Sequence, residues 1–292
     1  MKQQLASREE SRGTTELDAW ALRTQLLFTH DDRGRLLRVR ETDGAVAPRF
    51  YLGRSSLGNV WRLRADLPHD VVLRLARLAG KERPLQSTNA GPPVGSSGPP
   101  PPERAEAFRQ ALRSHAEIGP EYRGPSFRFP AVISSDRELE SGAGSKLESG
   151  LESSFASQAE LVRLDARREV DRRLMGNPID DSDGGAPALS GLMTPSDLLP
   201  QTDCFAIVRG GEVVSACWTS RFLGGVAAEA GLRTRESERG NGFALRVVAA
   251  WARRMRESGT EPLYSTQWSN SASRGVARRL GLVFCGEDLH IG

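Results

Sequence analysis

The stretch ESERGNGFALRVVAAWARRM, residues 236–255, decides how this chain is read. From Phe243 onward it has helical periodicity: Ala244, Val247, Val248, Trp251 and Met255 share one face, spaced to lie on a sheet. Ahead of that face stand Gly240 and Gly242, two apart and behind Arg239. A glycine inside a helix costs about 1 kcal/mol relative to alanine. The cost is least in the first turn, where backbone N–H groups have no partner within the helix. A glycine-rich entry presents those groups at the positive end of the helix dipole, with no Cβ to hold a pyrophosphate away. Arg239 is positioned to add a charge-assisted bond. A tight turn explains the same two glycines equally well, so the pair alone leaves both readings open.

The other phosphate motifs are absent. There is no G-x-x-x-x-G-K-[ST], and no G-x-G-x-x-G followed by an acid about twenty residues on. Around the helix the pattern is regular. CFAIVRGGEVVSACWTS (204–220) reads as two strands about a Gly-Gly hairpin, and GVAAEAGLRT (225–234) as a third. PLYSTQW (262–268) reads as a strand, NSASRGVARRLG (270–281) as a helix stopped by Gly281, and LVFCGEDLHI (282–291) as a last strand. The order is β-β-β-α-β-α-β.

Toward the N-terminus the signals are weaker. Residues 1–15 are polar and read as a disordered tail. Residues 16–88 read as a small α+β domain: a helix ending in the Leu26–Phe28 cluster, a strand at RLLRVR, a hairpin from Phe50 to Leu63, and a helix behind Pro68. NAGPPVGSSGPPPPE opens a linker with a short helix over 89–118. FRFPAVI (127–133) is expected as a strand and AELVRLDARREVDRRLM (159–175) as a helix, with a flexible LESG-repeat insertion at about 135–156. The acids Asp180, Asp181 and Asp183 read as a solvated turn that favours a cationic amine if it lines a pocket.

Composition narrows the function. Hydrophobic residues make up 38%, a low share for a chain that is all core. No run approaches 18 apolar residues, and the start lacks a secretory centre, so a cytoplasmic protein without a membrane span is expected. Cys204, Cys217 and Cys285 form no close pair, and the four histidines are scattered, so neither a disulfide framework nor a metal site is expected. Net charge is +3, carried by arginines dispersed among acids. That pattern attracts small anions but is a poor basis for a nucleic-acid surface.

The string R-G-N-G-F-A resembles the acetyl-CoA motif of the GCN5-related N-acetyltransferases, arginine or glutamine-x-x-glycine-x-glycine or alanine, with Arg239, Gly242 and Ala244 at its defined positions. AEAGLRT looks like that family's fourth strand, and PLYSTQWSNSASRGVARRLGL like its fifth strand and following helix. The likeness covers about the last third of the chain. The fold it implies is α+β, a mixed sheet flanked by helices, with the small N-terminal domain attached. Ninety residues are too few for that fold, so the catalytic domain is expected over 119–292, with FRFPAVI as its first strand.

The same resemblance implies acetyl transfer from acetyl-CoA to an amine of a small molecule or protein, without a metal. Backbone groups of Gly240, Asn241, Gly242, Phe243 and Ala244, with Arg239, hold the pyrophosphate. Leu232, Arg233 and Thr234 pair with the pantetheine arm. Asn270 touches that arm or caps its helix. Glu229, set between apolar residues, is the expected base, since desolvation raises a carboxyl's proton affinity. Where the family often carries a tyrosine to protonate the thiolate this chain has Ala277, leaving Tyr264, Ser265 or water. A non-catalytic acyl-CoA-binding module is the alternative. A homodimer and the identity of the acceptor are open.

Overall fold

A computed structural model describes residues 20–40, 44–86, 98–133, 159–165 and 203–292. The expected tail (1–15), the expected insertion (135–156), the acids Asp180, Asp181 and Asp183, and the expected helix beyond Asp165 lie outside the described residues. The chain divides into two compact units. One takes the chain up to Arg128 together with 264–275 and 283–292; the other takes 129–263 with 276–282.

In the first unit, helix α1 (20–27) leads into the antiparallel pair β1 (Phe28–His30) and β2 (Leu36–Val39). Strands β3 (Phe50–Ser55) and β4 (Gly58–Leu63) form the expected hairpin, and helices α2 (His69–Ala79) and α3 (Ala105–Arg113) follow. Strand β5 (Glu121–Arg128) and the last strand, β11 (Val283–Ile291), complete the order β4-β3-β11-β5, with β11 antiparallel to both neighbours. Phe50, Leu52, Leu75, Phe108, Leu112 and Ile291 form the core beneath α2 and α3.

The boundaries therefore differ from the expected 16–88 domain and 89–118 linker. All six residues of β3 are buried, and an isolated two-stranded hairpin is marginal in water. It gains its second neighbour from the far end of the chain, Leu52 opposite Leu289. The strand expected over 127–133 is also displaced, to Glu121–Arg128. Pro130 has no N–H to give a ladder, while Gly124 and Pro125, which argue against a strand in sequence, sit inside one. At Gly124 a Cβ would lie 1.8 Å from the Thr266 carbonyl oxygen, so only glycine fits that approach.

The second unit contains β6 (Glu160–Leu164), β7 (Cys204–Arg209), β8 (Glu212–Leu223), β9 (Ala227–Thr234) and β10 (Glu261–Ser265), in the order β6-β7-β8-β9-β10. The first four are antiparallel, while β10 runs parallel to β9. Helix α4 (Phe243–Glu257) packs on β7, β8 and β9, and α5 (Ser271–Arg279) follows β10. The expected helix from residue 159 is instead a strand over Glu160–Leu164. Pairing of all five of its residues with β7, Glu160 with Val208 through Leu164 with Cys204, overrides its helix-like spacing.

Trp251 is fully buried, and its indole Nε1 donates to Thr219 Oγ1 at 3.0 Å. Cys204 and Cys217 are buried; desolvation, with Asp203 nearby, pushes the Cys204 thiol up to about 12, and burial pushes Cys217 well up also. They act as small hydrophobes, as expected. The fold class is α+β, a mixed sheet with helices, and among the described residues no helix is long and apolar enough to cross a membrane.

Candidate functional site

The helix start is built by backbone conformation. Gly240 has φ 87° and Gly242 φ 76°, the left-handed region in which a side chain is strained. The helix opens at Phe243, so the glycines precede its first turn, and Gly242 is the N-cap with no side-chain cap. Among the described residues, the N–H groups of Gly240, Asn241, Gly242, Phe243 and Ala244 donate to no acceptor. A Cβ on either glycine would meet nothing within 4 Å. Five donors thus lack an acceptor at the positive end of a helix dipole, with open space about the two glycines.

The turn ahead is held in shape. A 3-10 turn spans Glu236–Glu238; Asn241 Nδ2 donates to the Glu238 carbonyl and to its Oε2, both at 3.2 Å, and Arg209 pairs with Glu238 at 3.0 Å. Buried Phe243, Val247 and Val248 anchor the helix behind it. Arg239 is exposed, and its contact with Glu236 at 3.6 Å is a surface pair worth little.

Strand β9 supplies the next part. Its parallel pairing with β10 ends at Leu263 opposite Glu229, while β9 runs on to Thr234 and stays paired to β8, Leu232 with Cys217 and Thr234 with Ser215. The Ser215 and Thr234 hydroxyls lie 2.8 Å apart. Arg233 is exposed.

Glu229 lies on this strand with its side chain 2% exposed, and Arg221 Nη1 donates to its Oε2 at 2.5 Å. The expectation of a desolvated acid holds for its burial. The adjacent cation was missed, and it works against desolvation by favouring the carboxylate.

Tyr264 and Asn270 belong to the first unit. Tyr264 is buried, its ring near Phe127 and its hydroxyl donating to the Ser273 carbonyl at 3.4 Å. Asn270 caps α5: its Oδ1 accepts from the Ser273 N–H at 3.0 Å, the second of the two roles expected for it. Trp268 is buried with Nε1 donating to Glu287 Oε2 at 2.9 Å and the Arg274 guanidinium over its ring. Ala277 is buried in the second unit.

The structure thus gathers Glu229, Leu232–Thr234 and Arg239–Ala244 in one unit, along β9 and the start of α4. Sequence reasoning missed Arg221 and the Trp218 indole lying on Gly231. A hairpin count from the β8–β9 turn would have found Arg221 opposite Glu229. It fails for Trp218, whose partner is shifted from Leu232 to Gly231 because a bulge intervenes.

Residues 208–286 match the family model described as FR47-like protein. No curated protein is similar enough to match. Solved structures with a similar arrangement include a GCN5-related N-acetyltransferase-like protein from Streptococcus suis 89/1591 (15% identity, 84% of this chain and 85% of that one, TM-score 0.41). Others are a functionally unknown conserved protein from Staphylococcus epidermidis ATCC 12228 (12%, 81% and 84%, 0.39) and a GNAT-family acetyltransferase from Colwellia psychrerythraea (12%, 63% and 61%, 0.35). The chain spans less than two thirds of the length of the last. With TM-scores below 0.5, these likenesses add no weight to the sequence match. That match takes in β8, β9, the α4 start and α5 together, and over residues 208–286 the chain is similar to the FR47-like family, which is related to the GCN5-related N-acetyltransferases.

Proposed function

We propose that this protein transfers an acetyl group from acetyl-CoA to a primary amine of a small molecule or a protein. The supporting observation is the start of α4, where five backbone N–H groups lack an acceptor behind two left-handed glycines. Such a cradle suits a pyrophosphate, with Arg239 closing on it. Leu232, Arg233 and Thr234 on β9 lie along the pantetheine path in this reading.

Glu229, ionised beside Arg221, takes a proton from the ammonium form of the acceptor. The amine nitrogen then attacks the thioester carbonyl carbon. The C–N bond forms, the tetrahedral adduct collapses, the C–S bond breaks, and the CoA thiolate leaves to take a proton from water. A thiolate is a tolerable leaving group, so the last proton is not decisive. The reading takes acetyl-CoA as the donor and the cytoplasm as the location.

A non-catalytic acyl-CoA-binding module is the second reading, favoured by buried Tyr264 and by Ala277 at the usual tyrosine position. Calorimetric titration with acetyl-CoA tests both. Asparagine tolerates the left-handed region, so Gly242→Asn folds and fills the open space above the turn. Native binding that is lost in this variant supports the cofactor site, and no native binding sinks both readings. Glu229→Gln then separates them: an enzyme loses turnover while keeping its acetyl-CoA affinity.

A further inference from the structure

The second strand of the β8–β9 hairpin faces a first strand that carries one extra residue. Thr219 is opposite Ala230, and the next registered pair is Arg221 with Glu229, so Ser220 is bulged out of the ladder. The Ser220 hydroxyl donates to the Glu229 carbonyl oxygen at 3.1 Å, which pins the bulge. Residues directly opposite share a face. Counted from the turn, Leu223 opposite Ala227 sets Arg221 opposite Glu229, on one face of the hairpin. Beyond the bulge the register shifts by one, so Thr219 stands opposite Ala230, on the α4 side, where Trp251 donates to it. The turn register thus brings a guanidinium onto a buried carboxylate, at 2.5 Å.

We propose that Arg221 is a positioning residue for Glu229, placed by the turn register of the hairpin to hold the carboxylate in one orientation and in its ionised form for proton abstraction. The inference rests on the reading of Glu229 as the base. Arg221 is partly exposed, 22% against 2% for Glu229, so it is the solvated end of the pair. Glu261 begins β10 opposite Ala227, and Arg233 stands further along β9. Helix α4 packs on the face of Thr219 and Ala230, opposite that of Glu229, through Trp251.

The test is the pH profile of kcat/KM with acetyl-CoA and a panel of primary amines (spermidine, 2-phenylethylamine, lysine), read as free thiol. It is run on the native protein, Arg221→Gln, Arg221→Lys and Glu229→Gln, with acetyl-CoA affinity measured in parallel. A cation within about 4–6 Å moves a carboxylate's titration by about 1–3 units, so Arg221→Gln moves the acid limb up by about one unit or more, with acetyl-CoA affinity unchanged. Arg221→Lys brings the limb back to within about half a unit of native. A limb in Arg221→Gln that coincides with native, or a loss that is equal at every pH, overturns the inference while Glu229→Gln remains inactive. If Arg221→Gln does not fold, Arg221→Lys decides: a limb displaced by about a full unit overturns the inference, and a native limb supports it. Glu229→Gln with native turnover, or no turnover by the native protein with any amine, overturns the base reading itself.

Discussion

The Trp218 indole lies flat against Gly231, its cross-strand partner, so closely that a Cβ there would sit 2.5 Å from ring atom Cε2 and 2.7 Å from Nε1. The indole covers β9 two residues beyond Glu229, and Trp218 belongs to the cluster of Leu164, Cys204, Ala206 and Ala216. Gly231→Ala forces the indole out of this packing and destabilises the protein by about 1–3 kcal/mol. The drop in the urea midpoint measures it. Trp218→Leu in the same background relieves the clash, so the double variant is more stable than the sum of the single changes implies.

Asn270 separates a structural from a binding role. Asn270→Ala removes the cap on α5 and costs about 0.5–2 kcal/mol of stability, whereas Asn270→Asp keeps an accepting oxygen and costs little. Equal acetyl-CoA affinity in the aspartate variant and the native protein assigns Asn270 to the cap alone. A loss of affinity in a stable aspartate variant assigns its amide to the ligand.

Asp288 holds the first unit together. Its carboxylate is fully buried and accepts from Arg23 through both Nε and Nη2, and from the Tyr51 hydroxyl at 2.7 Å. Arg23 is nearly as buried. Asp288→Asn leaves that guanidinium without its counter-charge and destabilises by about 3–5 kcal/mol, read as a fall in Tm. The isosteric change in the exposed partner of a surface pair, Glu236→Gln, leaves Tm unchanged.

Protonation of His30 is disfavoured in the fold. Burial lowers its pKa from 6.5, and the nearby Arg62 and Arg40 lower it further, against a smaller opposing pull from Asp31. The unfolded chain therefore binds the proton more readily, so stability rises with pH through this range and is lost as pH falls below about 6.5. Urea midpoints at pH 7.5 and 5.5 show the fall, and His30→Gln reduces it. Asp66 acts in the same direction only at lower pH, because its hydrogen bond from Arg64 holds it below the usual 3.8.

The strands and helices from Cys204 to Ile291 follow from local chemistry: alternation in β7 to β9, the glycines before α4, the asparagine that opens α5 and Gly281 that ends the chain's last helix. The start of α4 was legible because φ above zero leaves a mark in sequence, namely glycine. Elsewhere local signals misled. ELVRL has helix-like spacing and becomes a strand because β7 lies beside it. EYRGPS carries two strand breakers and is a strand because Gly124 admits the Thr266 carbonyl.

By itself the sequence determined the unpartnered helix start, the order of elements in the last third, and Glu229 as an acid among apolar neighbours. Each rests on residues adjacent in the chain. Only the tertiary structure decided that β11 completes the N-terminal sheet and that Trp218 lies on Gly231. The first is a pairing across more than two hundred residues, set by buried β3 lacking a second neighbour. The second depends on a one-residue bulge, and a register shift of one residue exchanges the faces of a strand without altering its composition.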